Sequence, residues 1–224
     1  MGVWGSICSV YSSVCSSACS VISSAVSSIG NAVAEVATGV VNLGVELAGK
    51  VGEAIKAVGI SLGVLKPDAN LDELGEKAML SDKKPEDFDS INEYIDHLRN
   101  NVTIDKEKFE KLDAKDLLAR SAIGASITLK GINETLDTAV TPAFMAEVAK
   151  QELAADQIVD TIKTYKENNL NTNDYGLYLN DELSIDESDK HSDALVTAYQ
   201  KLEPELTIEQ IEDKVMDLKV SANE

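Results

Sequence analysis

Residues 10–65 read VYSSVCSSACSVISSAVSSIGNAVAEVATGVVNLGVELAGKVGEAIKAVGISLGVL, and their apolar spacing decides the fold. Starting at Val10, the series Val14, Ala18, Val21, Ala25, Ile29, Ala32, Val36, Val40, Leu43, Leu47, Val51, Ala54, Val58, Leu62 and Leu65 advances by 4, 4 and 3 without a break. At a local apolar frequency of about 0.55, sixteen hits in a fixed register arise by chance roughly once in 10⁴. Eleven residues in three turns is about 3.67 per turn, so the stripe stays on one side of an α-helix. Tyr11, Cys15, Cys19, Ile22, Val26, Val33, Ala37, Val41, Ala48 and Ile55 form a second stripe beside it. The combined face is wider than a two-stranded coiled-coil seam and suits a membrane or a multi-helix assembly.

The opposite face changes along the segment. Up to Ser28 it is almost all hydroxyl, and the first charged residue of the chain is Glu35. Serine is only an average helix former in water, where Glu and Lys normally cover such a face. An uncharged hydroxyl face is inexpensive to place in a bilayer and can hydrate a lumen or bond a neighbouring helix. The pattern is similar to that of Ser/Leu model peptides that assemble into ion-conducting bundles, a likeness of pattern rather than of family. Val10, Val14, Val21, Ile22, Val26, Ile29 and Val33 are therefore expected to face lipid. Ser9, Ser13, Ser16, Ser20, Ser24 and Ser27 are expected to line a lumen or contact other helices.

Beyond Glu35, Glu46–Lys50 and Glu53–Lys56 have the spacing of helical ion pairs. Six glycines fall between Gly39 and Gly63. Ala48/Gly52 and Gly59/Gly63 are small-xxx-small pairs, expected to pack helices closely. The segment is expected to be one long helix or a hairpin bent at Gly30–Asn31 or Gly39, ending at Lys66–Pro67.

Charge divides the chain. Of a net −19, residues 1–65 contribute two lysines against three glutamates, while the rest holds 18 basic and 36 acidic side chains. A membrane-active segment over 1–66 and an acidic, soluble helical bundle over 67–224 are expected. Such a charge excludes phosphate-tracking nucleic-acid binding as a default. The acidic part is expected to keep the other soluble and to offer a surface to a carrier, chaperone or inhibitor.

Helix starts are expected at Pro85, at Thr103 through Asp105, and at Asp113 for a small-residue helix from Ala114 to about Leu136. Thr141–Pro142 is expected to open a helix running through Phe144, Val148, Leu153, Ile158, Ile162 and Tyr165 to Asn168–Asn169. Ser184 or Asp186, then Thr207 with Gln210, open the last two. The fold class is all-α: a long N-terminal amphipathic helix or helical hairpin with 11-residue periodicity, then a small acidic bundle.

Site chemistry is sparse. His97 and His191 are the only histidines, neither at metal-ligand spacing, and His97 is expected on a charged helix surface. Asn171–Glu182 has the length and Gly176 of a calcium loop, but Tyr175 stands where a ligand is required, so a polar turn is expected. No nucleotide, hydrolase or cofactor motif occurs, and no enzyme activity, cofactor or metal is expected. Cys8, Cys15 and Cys19 read as reduced thiols, and no secretory leader is expected because no basic residue precedes the apolar stretch.

Together these features lead to the expectation of a membrane-inserting, pore-forming effector or toxin. It would be made soluble in the cytoplasm, act at a target membrane after non-classical secretion, and assemble there as a homo-oligomer. A helical tube component of a larger particle is the alternative. A third reading is a scaffold anchored by myristoyl at Gly2 and palmitoyl on the cysteines.

Overall fold

The computed structural model describes residues 3–222, with side chains from Ser12 to Val220. Twelve α-helices and no strand occur among the described residues. Contacts divide the chain into two compact units, residues 1–135 and 136–224. The charge step at 66/67 does not coincide with this division, because residues 67–135 pack on the N-terminal segment.

The first unit begins with α1 (Val3–Ile29), α2 (Asn31–Asn42) and α3 (Val45–Ser61). The hairpin is the outcome, with its bend at Gly30; Gly39 lies inside α2. Gly30 adopts φ 81° and ψ 158° and is the single residue between the first two helices. That positive φ suits glycine alone among common residues. A second break, unanticipated, occurs at Gly44, with φ 90°. Next come α4 (Leu71–Leu80), α5 (Ile91–Asn101), α6 (Lys106–Phe109) and α7 (Ala114–Leu136). Asn70 caps α4 by accepting from the N–H groups of Asp72 and Glu73, Ser90 caps α5, and Asp105 caps α6. Pro85 opens only a short 3-10 turn, because the chain turns extended at Phe88 before Ser90 restarts it.

α7 is central, as its small residues imply. Ala119, Ala122, Ile123, Ala125, Ile127 and Ile132 are all buried. Its glycines admit neighbouring backbone. A Cβ at Gly124 would lie 2.0 Å from the Leu71 carbonyl oxygen, and one at Gly75 of α4 would lie 2.0 Å from that of Arg120. α4 and α7 therefore cross antiparallel at backbone contact. The Arg120 guanidinium ties the crossing to Glu76. Ser126 Oγ donates to the Val33 carbonyl at 2.9 Å, pinning α2 to α7. Thr128 packs against Gly59 of α3 so closely that a Cβ there would sit 2.7 Å from its methyl.

The second unit holds α8 (Pro142–Lys150), α9 (Ala155–Glu167), α10 (Tyr175–Leu179), α11 (Ile185–Leu202) and α12 (Ile208–Ala222). Thr141 caps α8, and Ser184 with Glu187 forms a capping box on α11. The single helix expected from Thr141 to Asn169 is two helices. Glu152 takes φ 54°, and the Gln157 side chain accepts from Ala154 N–H to start α9. The Asn171–Glu182 segment is not a polar turn either: α10 lies within it and buries Tyr175, Tyr178 and Leu179. Hydrophobic burial of three large side chains outweighs the polar flanks.

These residues join an aromatic cluster. His191, 3% exposed, faces the Tyr165 hydroxyl from Nδ1 at 2.9 Å and stacks on Tyr178 with ring centroids 5.9 Å apart. Phe144 and Tyr165 meet Tyr175 edge-on, and the Tyr175 hydroxyl donates to Gln151 at 2.6 Å.

Candidate membrane-active helix and its bend

α1 carries no charged side chain and is 27 residues long. Its Ser12–Ile29 portion has mean hydropathy 1.3 and is long and apolar enough to cross a membrane by length and composition. The inward face consists of Ala18, Ile22, Ala25 and Ile29, all buried. α2 packs antiparallel against the C-terminal half of α1 with Val33, Ala37, Val40 and Val41. Burying these eight residues is the main stabilisation of the pair, at roughly 1 to 3 kcal/mol for each large aliphatic side chain. The Cys19 thiol donates to Asn42 Oδ1 at 3.8 Å, so residue 19 lies opposite the end of α2.

The residues assigned to lipid are thus divided. Ile22, Ile29 and Val33 lie in the core of the first unit, while Val14, Val21 and Val26 are half-buried. The serines Ser13, Ser16, Ser20, Ser24 and Ser27 are exposed together along the outer face. Val10 and Ser9 fall in α1, but their side chains lie outside the described residues. Among the packing residues, Ala48, Gly52 and Gly59 are buried in α3, whereas Gly63 lies beyond it. Gly63 is a correction: with φ 74° and open space around it, it turns the chain after α3 and packs no helix.

The exposed hydroxyls have a local chemistry. Ser16 Oγ donates to the Ser12 carbonyl at 2.9 Å, Ser20 to Ser16 at 3.1 Å and Ser24 to Val21 at 2.7 Å. Each donor is satisfied within its own helix, so little desolvation penalty remains if water is withdrawn. Thiols border this face in an open cleft lined by Ser12, Cys15, Ser16, Cys19, Asn42 and Gly44. Burial, then the neighbouring Cys15, raises the Cys19 pKa, so the thiol stays protonated and a weak nucleophile.

No family model, curated protein or solved structure matches the chain. No group of three metal-binding side chains occurs among the described residues.

The bend itself was legible only as a glycine. What sequence reading missed is Glu86, whose two carboxylate oxygens would each lie 2.8 Å from a Cβ placed on Gly30. Glu86 comes from the turn after α4, and nothing in the spacing of the sequence connects it with residue 30.

Proposed function

We propose that this protein is membrane-inserting and pore-forming, acting through α1, and that several copies assemble in the bilayer. The observation that carries the reading is the serine face of an uncharged helix, on which the Ser16, Ser20 and Ser24 hydroxyls donate within their own helix. At 27 residues α1 extends about 40 Å, against about 30 Å of hydrocarbon, so it can span with surplus or tilt. Val, Ile, Ala and Cys would contact lipid. The serine hydroxyls, released from water at small cost, would meet other copies or line a shared lumen. An uncharged lumen discriminates weakly among ions, and Glu35 at its flank would favour cations. The acidic remainder of the chain would keep the protein soluble before insertion and present a surface for a carrier, chaperone or inhibitor. Delivery to a target-cell membrane as an effector or toxin fits this chemistry.

The test is dye release from phosphatidylcholine vesicles together with vesicle flotation. Release and co-flotation support the reading, and their joint absence refutes it. A discrete oligomer that ignores vesicles would instead favour the helical tube. Replacing Ser16 and Ser20 with Leu should preserve flotation and reduce conductance, since insertion needs the apolar face and conduction needs the hydroxyls.

A further inference from the structure

The 4-4-3 register passes from Val10 to Leu65 through both helix breaks without losing phase. A hairpin imposes no such continuity, since each arm needs only its own apolar stripe. In α2 the inward residues are Val33, Ala34, Ala37, Val40 and Val41; of the register members there only Val40 is buried, while Ala32 is exposed and Val36 half-buried. The folded hairpin thus follows the phase in α1, where Ala18, Ala25 and Ile29 are buried, but meets it in α2 only at Val40. A continuous helix is the form in which that phase yields one straight apolar face.

The break is also minimal. Gly30 N–H still donates to the Val26 carbonyl at 2.9 Å, and the Gly30 carbonyl accepts from Ala34 at 3.1 Å. Only the N–H groups of Asn31, Ala32 and Val33 lose their helical partners, and rotating Gly30 into the helical region restores all three. Against that rotation stand the packing of α1 on α2, α4 and α3 and the exposed Glu86 carboxylate, which reaches Gly30 at the N-terminal end of α2, where the helix dipole favours an anion.

We propose that Gly30 is a hinge and Glu86 its latch. α1 swings off α2 to give one continuous helix over residues 3–42 when a lipid surface receives its apolar face. α2 stays docked through Ser126 and the Val33 carbonyl. The lipid trigger rests on the membrane reading above, whereas the hinge is a property of the chain itself.

Cys19 and residue 42 report the change. They face each other in the hairpin, and in a continuous helix their Cα atoms stand about 35 Å apart. Spin labels on Cys19 and on Asn42→Cys, with Cys8→Ser and Cys15→Ser, would be read by electron–electron dipolar spectroscopy. Phosphatidylcholine vesicles should move a majority of the protein to the long distance. Gly30→Ala, strained at φ 81° and abutting Glu86, should raise the long-distance fraction at least about twofold in buffer, and Glu86→Ala should act in the same direction. Vesicle-bound protein that keeps the short distance overturns the hinge. So does a short distance unchanged in both variants at native helical circular dichroism. If the protein does not bind vesicles, the membrane reading fails and the two variants in buffer alone decide the hinge.

Discussion

Cys19 and Asn42, 23 residues apart, meet across the first two helices, with the thiol donating to the amide oxygen at 3.8 Å. The contact lies at the open end of the hairpin, far from Gly30, so it reports closure of the whole pair. It is also the natural place to lock it.

Oxidising the Asn42→Cys protein, with Cys8 and Cys15 replaced by Ser, should join residues 19 and 42. The cross-linked protein should then lose at least about tenfold in vesicle dye release, and reduction should restore it, because loop closure holds the arms together. Equal release from oxidised and reduced protein would show that α1 inserts without leaving α2.

Gly75→Ala and Gly124→Ala should each destabilise the first unit by about 3 kcal/mol, since the new Cβ meets a carbonyl oxygen at 2.0 Å and backbone must move. The melting temperature should fall by about 6–12 °C. Gly49→Ala is the counterpart: it is exposed in α3 with nothing within 4 Å, and should stabilise by about 0.5–1 kcal/mol. Thermal unfolding followed by circular dichroism separates the three.

This contrast marks what a sequence can display. Gly75 and Gly49 look alike in the chain, each a glycine in an amphipathic helix, and only the neighbour brought by the fold tells them apart. The caps at Asp113, Thr141, Ser184 and Thr207 were legible because capping is local. The interruption at Glu152 was not, because the apolar spacing of Val148, Leu153 and Ile158 continues across it. Gly30 was legible as one of two candidate bends, since glycine marks a break. Glu86, which lies beside it, was hidden by 55 residues of intervening chain.

His191 gives the second unit a pH dependence. Burial lowers its pKa, opposed by the nearby Asp174 and Glu187 carboxylates. Tyr165 of α9 and Tyr178 of α10 face it, and Lys219 of α12 sits 4.3 Å over the Tyr178 ring. The folded state thus favours the neutral ring. Stability is complete above the ordinary value of 6.5 and falls as pH drops below it toward the lower folded value, because the unfolded chain takes up the proton first. Asp137, whose carboxylate Lys166 holds below its usual range, loses its contribution only in stronger acid. Urea midpoints from pH 7 to pH 5, read by tyrosine near-ultraviolet circular dichroism, should fall for the native protein and stay level for His191→Gln.

The entry of α1 into a bilayer is tested most directly by depth. An environment-sensitive nitrobenzoxadiazole label on Cys19, with Cys8→Ser and Cys15→Ser, would be measured in vesicles containing lipids spin-labelled along the acyl chain. Blue-shifted emission quenched by these lipids is the predicted result. Water-like emission without quenching, from protein that is present with the vesicles, would contradict it.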